Sequence, residues 1–185
     1  MQHLYFLRHC KTEANTQNKI SGKTDWKLCD DPIVEGVELI QDKRLVIFSS
    51  DLKRCKETIE ILEKKLDNCP EIYYMDMLRE RDMGIFEGKE RKILQLEYPE
   101  YFVNQRFCYY ETPPEGESYK EILERTKKFI QSEVLRTLDS REKKDILICA
   151  HNQILKLLYC EIKKVPIEDN WSKLDFQNGM VTEIV

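Results

Sequence analysis

Short apolar runs bounded by charged turns recur along the chain. Residues 3–7 (His-Leu-Tyr-Phe-Leu), 45–48 (Leu-Val-Ile-Phe) and 146–149 (Ile-Leu-Ile-Cys) are nearly unbroken apolar runs of strand length, and 72–75 (Ile-Tyr-Tyr-Met) reads as another. Runs without alternation belong to strands buried on both faces. A helical period follows the second run: Leu52, Cys55, Ile59, Leu62 and Leu66 share one face, residues 49–51 (Ser-Ser-Asp) offer an N-cap, and Arg54 lies in the first turn off that face. Residues 117–138 read as a long helix with Tyr119, Ile122, Thr126, Phe129 and Ile130 turned inward. The stretch 154–159 is almost wholly apolar, so the helix it forms is buried with the strand before it. Residues 12–15 open a short helix, and 178–179 (Asn-Gly) is a hairpin signal before a last strand over 181–185.

Strands that alternate with helices predict an α/β sandwich around a mostly parallel sheet. Between Arg81 and Gly116 the pattern becomes aromatic and irregular, broken by Pro99, Pro113 and Pro114. That stretch is expected to be a lid-like excursion over one face of the sheet, within a single domain spanning residues 1–185. A chain of 185 residues buries about 70% of its unfolded surface, enough for a core that needs no disulfide or metal.

Hydrophobic residues make up 41% and charged residues 35%, with six Gly and six Pro, which excludes collagen-like and disordered classes. The net charge of −4 provides no broad basic field for nucleic acid or an anionic membrane. Any anion must be held by a few local cations. No apolar run approaches the ~18 residues of a membrane span, and no secretory leader is visible. Seven cysteines at irregular spacing, without a C-x-x-C pair, fit reduced thiols in the cytoplasm.

Ligands of open α/β sheets gather beyond the carboxyl ends of the strands. At that edge the first strand delivers Arg8 and His9, the second is followed within a turn by Arg54, and the one ending at Cys149 is followed by His151 at a helix start. Two imidazoles, two guanidiniums and helix N-termini make a pocket for a dianion such as phosphate. Glu80, after the 72–75 strand, adds a carboxylic acid able to protonate a leaving alkoxide. Taken singly each of these residues has an ordinary structural explanation; their placement after successive strands joins them. His3 lacks that placement and is expected to be satisfied locally. No Cys is followed by Arg at the sixth position, and no phosphate-binding glycine loop, G-x-S-x-G elbow or H-E-x-x-H is present, which leaves histidine as the nucleophile.

These residues resemble the histidine phosphatase superfamily, the phosphoglycerate mutase-like proteins. Leu7-Arg8-His9-Cys10-Lys11-Thr12-Glu13-Ala14-Asn15 resembles the family's L-R-H-G-x-T-x-x-N, and residues 49–58 its S-S-x-L-x-R-x-x-x-T. Residues 78–84 with Glu87-Gly88 match L-x-E-x-x-x-G followed by E-G. Glu115-Gly116-Glu117-Ser118 with Arg125 resembles the G-E-S…R segment, and Ala150-His151 the second family histidine. The resemblance implies a three-layer α/β/α sandwich, His9 as the phosphorylated nucleophile, Arg8, Arg54 and His151 gripping the phosphoryl group, and Glu80 as proton donor. It further implies Asn15 on a substrate or phosphate oxygen, Ser21 and Gly22 in a loop lining the site, and neither metal nor cofactor.

Two family glycines are replaced, by Cys10 and Asn152. Cys10 either crowds the pocket or replaces a residue of ordinary φ; Asn152 tolerates left-handed geometry and can bond the substrate. The expected activity is hydrolysis of a small phosphorylated metabolite of the kind α-ribazole phosphatases handle. A phosphoglycerate mutase-type transfer and a weakened phosphate-binding protein are the alternatives, and the short interval between Glu80 and His151 favours hydrolysis. The aromatics of 81–116 either pack on the sheet, the commoner fate, or stack on a substrate ring. Lys89, Arg91, Lys92 and Arg106 either bind a second phosphate or face water.

Overall fold

The computed structural model describes residues 2–104 and 106–185. Its strands are β1 (Leu4–Arg8), β2 (Leu45–Ser50), β3 (Glu71–Met75), β4 (Phe102–Val103), β5 (Arg106–Phe107), β6 (Asp145–Ala150) and β7 (Val181–Glu183). Its helices are α1 (Glu13–Thr16), α2 (Lys53–Glu63), α3 (Arg91–Glu97), α4 (Tyr119–Phe129), α5 (Leu135–Asp139), α6 (Asn152–Lys163) and α7 (Ile167–Asn170). Five strands form one sheet in the order β3-β2-β6-β1-β7, parallel except for β7, and β4 and β5 form a separate ribbon.

The period of two in the strands sorts the core into two layers. Phe6, Val46, Phe48, Ile146 and Ile148 face Phe129, Leu155 and Leu158 from the helices on one side. Tyr5, Leu7, Ile47, Leu147 and Cys149 face Cys55, Ile59 and Leu62 of α2 on the other, along with Val34, Val37 and Ile40. Helices on both faces make the three-layer α/β/α sandwich expected of the sequence. Each fully buried aliphatic side chain in these layers contributes about 1.5–3 kcal/mol.

Three expectations change. The 72–75 strand is not buried like the others: β3 is a sheet edge, with Tyr73 48% and Tyr74 43% exposed. Tyrosine rings suit that edge, because Tyr73 stacks on Phe48 while Lys56 sits over Tyr74. Residues 178–179 do not make a hairpin, since β7 pairs antiparallel with β1, far away in sequence. The cap of α2 comes not from Asp51, which is bidentate to Arg79 at 2.6 and 2.5 Å, but from Asp25, which accepts from the Lys53 N–H at 2.9 Å. The long helix is present as α4 and α5 joined by a π-helical stretch, Ile130–Val134, and begins with a Ser118/Glu121 capping box. His3 is satisfied locally, its Nδ1 lying 2.6 Å from Glu183 Oε1.

The 81–116 segment has its own small core, Met83, Phe86, Leu94 and Phe107 with Ile20, ringed by Tyr98, Tyr101 and Phe102. Its aromatics therefore pack on one another, with Phe86 5.0 Å from Tyr98 and 5.2 Å from Tyr101 between ring centroids. Arg81, fully buried, ties this segment down: its guanidinium donates to the carbonyls of Glu117, Tyr109 and Glu111 at 2.8, 2.8 and 2.5 Å. Burial lowers its pKa to about 10, so it remains cationic at neutral pH. Arg81→Met leaves three carbonyls without that donor, and each buried unsatisfied group costs about 1–3 kcal/mol. The expected outcome in urea denaturation is a loss of at least about 3 kcal/mol; a loss below about 1 kcal/mol would mean that water replaces the guanidinium.

Candidate active site

In a parallel sheet the carboxyl ends share one edge, and there β1 and β6 release His9 and His151 side by side, ring centroids 5.1 Å apart. The His9 N–H continues the ladder to the Ala150 carbonyl at 3.1 Å. The His9 Nδ1 lies 2.7 Å from the Cys10 carbonyl, an acceptor only, so Nδ1 carries the proton and Nε2 the lone pair. Burial, then the charges of Arg54 and Arg8, hold the His9 pKa well below that of free histidine. The ring is neutral at pH 7, with the Nε2 lone pair unprotonated.

The backbone under His9 is fixed from three sides. The Thr58 hydroxyl accepts from the Cys10 N–H at 2.8 Å, Asn178 Nδ2 donates to the His9 carbonyl at 2.8 Å, and the Gly179 N–H donates to the Arg8 carbonyl at 2.8 Å. Gly179 has φ +72°, and a Cβ there would stand 2.3 Å from the Ile33 carbonyl oxygen, so the position requires glycine. The Asn-Gly pair is thus a brace for the His9 backbone.

Cys10 does not crowd the site. Its φ is not positive, its side chain is buried with Leu7 and Val34, and Sγ lies 3.4 Å from the Ile33 carbonyl. Asn152 is helical rather than left-handed; its Nδ2 donates to Asp175 at 2.9 Å and its Oδ1 accepts from the Phe176 N–H at 3.2 Å.

Arg54 is fully buried and held by neutral acceptors: His151 Nδ1 at 3.1 Å, the Thr24 carbonyl at 2.8 Å and the Gly22 carbonyl at 2.7 Å. Because Arg54 donates to Nδ1, the other nitrogen of the His151 ring, Nε2, holds the proton and faces Ser50 Oγ at 2.9 Å. Burial and the Arg54 charge hold the His151 pKa well below the ordinary value. Arg8 donates to the Phe176 carbonyl at 2.8 Å and lies 4.0 Å from Asp175, and its Nε is buried without a partner. That N–H has no protein partner among the described residues and can donate to an anionic oxygen.

Glu80 accepts from the Arg81 N–H at 3.0 Å and the Gln153 N–H at 3.4 Å. Burial raises its carboxyl pKa against these bonds and against the charges of Arg54 and Arg8. Asn15 closes a capping box, its Oδ1 accepting from the Thr12 N–H and hydroxyl at 3.0 and 2.9 Å, which leaves its NH2 as the available donor. Gly22 reaches the site through its carbonyl on Arg54, and Ser21 lies outside the cavity lining.

The cavity at this edge, about 440 Å³, is bounded by Arg8, Asn15, Met83, Asn152, Gln153 and Lys156 among others. A neighbouring depression of about 510 Å³, which Glu80 lines, carries six carboxylates against three cations. Its charge disfavours an anion, whereas the smaller cavity is lined mainly by cations and adjoins the His9 and His151 edge through Arg8 and Asn178. No cluster of three His, Cys, Asp or Glu able to hold a metal occurs among the described residues, nor any helix long and apolar enough to cross a membrane. From the sequence Thr58 is read only as the last residue of the 49–58 match and Asn178 only as a turn residue, while Gln153 and Lys156 carry no site assignment. The last turn of signal lay in α6, where Gln153 and Lys156 follow His151 within an apolar run.

The chain belongs to the histidine phosphatase superfamily, branch 1, whose family model matches residues 4–185. It is 25% identical over 189 residues to a putative phosphoserine phosphatase of Hydrogenobacter thermophilus, covering 100% of this chain and 89% of that one. It is 27% identical over 202 residues to a 2,3-bisphosphoglycerate-dependent phosphoglycerate mutase of Methanosarcina mazei, covering 90% and 83%. The fold superposes on a putative α-ribazole-5′-phosphate phosphatase of Escherichia coli with TM-score 0.76 at 21% identity, covering 98% and 89%. A mycobacterial glucosyl-3-phosphoglycerate phosphatase matches with TM-score 0.81 at 22% identity, covering 99% and 92%.

The buried imidazoles make stability depend on pH. His9 and His151 stay neutral when folded while the unfolded chain binds protons below about pH 6.5, so stability is lost as pH falls through that value. Two such groups set a limiting slope of about 2.7 kcal/mol per pH unit. Glu80, whose pKa is raised in the folded chain, offsets up to half of that slope in the part of the window below its own pKa. The urea midpoint is expected to drop between pH 7 and pH 5.5; a flat profile would mean that the imidazoles are already charged when folded.

Proposed function

We propose that the protein is a metal-independent phosphomonoesterase that hydrolyses a small phosphorylated metabolite through a phosphohistidine on His9. The observation that carries this reading is the neutral His9 ring, tethered through Nδ1 to the Cys10 carbonyl beside the unpaired Nε of Arg8. Nε2 attacks phosphorus in line, the P–O bond to the leaving group breaks, and the Arg8 and Arg54 guanidiniums neutralise the equatorial oxygens, with the neutral His151 ring orienting Arg54 beside them. The leaving alkoxide takes its proton from Glu80, whose raised pKa keeps it protonated more readily than a free carboxyl. In the second step Glu80 takes a proton from water, the hydroxide oxygen bonds to phosphorus, and the P–N bond breaks. Inorganic phosphate leaves and Nε2 regains its lone pair.

Asn15 contributes its NH2 to a phosphoryl or substrate oxygen. Gly22, with Ser21 in the same loop, positions Arg54, and Asn152 positions Asp175 beside Arg8 and lines the cavity where substrate enters. The segment 81–116 covers the cavity with Met83, Arg91, Arg106 and Phe107. Cys10 and Asn152 take no charged group from the site, which favours an active enzyme over a binding protein. All seven cysteines are free thiols, in keeping with a reducing cytoplasm.

Incubation with a labelled aryl phosphate is expected to give an acid-labile phosphohistidine at His9, lost in His9→Ala, with turnover continuing in excess chelator. Transfer to phosphoglycerate in preference to water would support the mutase, and no label the binding protein. Glu80→Gln is expected to slow alkyl phosphates by roughly 10²- to 10⁴-fold and nitrophenyl phosphate far less; equal losses would remove Glu80 from the acid role.

A further inference from the structure

The cavity beyond the phosphoryl site holds more positive charge than one phosphoryl dianion requires. Arg8, Lys11, Lys19, Arg91, Arg106 and Lys156 line it, against the single carboxylate of Asp175. This concentration stands in a chain whose net charge is −4. Of the six, only Arg8 has a carboxylate within 4.0 Å among the described residues, and that is Asp175 itself. Lys19 rests over the Trp26 ring and Lys11 lies exposed at the rim, so neither needs a ligand to explain it.

The other three are different. Lys156 sits on α6, 4% exposed, with Nζ 2.8 Å from the Trp171 carbonyl and 5.0 Å from the centroid of its ring. Burial, helped by the charges of Arg106 and Arg8, pulls its pKa down to about 8 against Asp175 and Glu80, which raise it. Asp175, the carboxylate beside it, is engaged by Asn152. Arg106 donates to the Ser172 carbonyl at 2.5 Å. The Arg91 guanidinium, half-buried, has no hydrogen bond or ion pair among the described residues and feels Arg106 as its charged neighbour. Cations gathered this way repel one another and lack counter-charges, an arrangement that a ligand anion relieves. Lys89 and Lys92, the remaining cations of that stretch, lie outside the cavity lining, and Lys89 sits over Tyr98.

We propose that the substrate is a phosphomonoester carrying a second anionic group, carboxylate or phosphoryl, and that Lys156, Arg91 and Arg106 form the subsite for it beside Arg8 and His9. This rests on the phosphatase reading for the first anion and adds the substrate class. Lys156 supplies a desolvated point charge fixed by Trp171, while the two guanidiniums close over the anion from the 81–116 segment. The gain is selectivity: a monoester with one anion fills the phosphoryl site and leaves this subsite unpaired.

Two matched pairs test it: 3-phosphoglycerate against glycerol 3-phosphate, which differ by a carboxylate, and a hexose bisphosphate against the hexose monophosphate. Wild-type protein is expected to favour the two-anion member of at least one pair by roughly 10-fold or more in kcat/KM. The pair that shows the preference identifies the second anion as carboxylate or phosphoryl. Lys156→Met and Arg106→Ala are each expected to shrink that preference by roughly 10-fold, mainly through KM. Arg106 is exposed, so Arg106→Ala carries the test if Lys156→Met does not fold. Absence of any preference, or variants that lose one-anion and two-anion substrates equally, would overturn the proposal. If no phosphomonoester is hydrolysed the phosphatase reading fails on its own. Equilibrium binding of the same compounds then decides the subsite: tighter binding of the two-anion member, weakened in Arg106→Ala, upholds it, and equal binding rejects it.

Discussion

In the register that sets Arg8 opposite Ala150, the next residues to leave β1 and β6 are His9 and His151, and the His9 N–H still reaches the Ala150 carbonyl at 3.1 Å. A shift of one residue along that pair would turn Tyr5 and Leu7 to the wrong layer and separate the two rings. The apolar core therefore enforces the spacing of the two rings, because the side chains that prohibit slippage are those of β1, β2 and β6, buried on both faces. Everything nearer the cavity is secured to that edge: Arg54 by His151 and two carbonyls, and His9 by Thr58, Asn178 and Gly179.

The site is built from cations held by neutral groups. Arg54 is oriented by an imidazole and carbonyls, Arg8 by a carbonyl with Asp175 at 4.0 Å, and Lys156 by a carbonyl and an indole. Carbonyl partners fix direction without cancelling charge, so the positive potential remains for a ligand. Burial first, and then this potential, keeps both imidazoles neutral. An imidazole in this environment keeps one ring nitrogen unprotonated at pH 7.

The layers, the parallel sheet and the set Arg8, His9, Arg54, Glu80 and His151 were legible in the sequence because each follows a short apolar run whose ending is abrupt. What was not legible depends on contacts distant in sequence. Tyr73 and Tyr74 sit in a run as apolar as its neighbours, and only the strand order reveals that β3 is an edge. Asn178-Gly179 has the residues of a hairpin turn because both uses need a positive φ, here spent bracing His9. Asp25 caps α2 from 28 residues away, and Arg81, surrounded by charge in sequence, is fully buried by three carbonyls of a later loop. Lys156 interrupts the apolar run 154–159 of α6, and its position on the cavity follows from packing against Trp171.

The proposed chemistry at His9 depends on which ring nitrogen holds the proton. Nitrogen-15 NMR of the histidine rings at pH 7 reads that directly, with His9→Ala to assign the signals. The result expected is a neutral His9 with the proton on Nδ1, unchanged down to about pH 6, below which the fold itself weakens. A cationic His9 at pH 7, or one carrying its proton on Nε2, would leave no lone pair toward the phosphoryl site and would contradict the assignment of His9 as nucleophile.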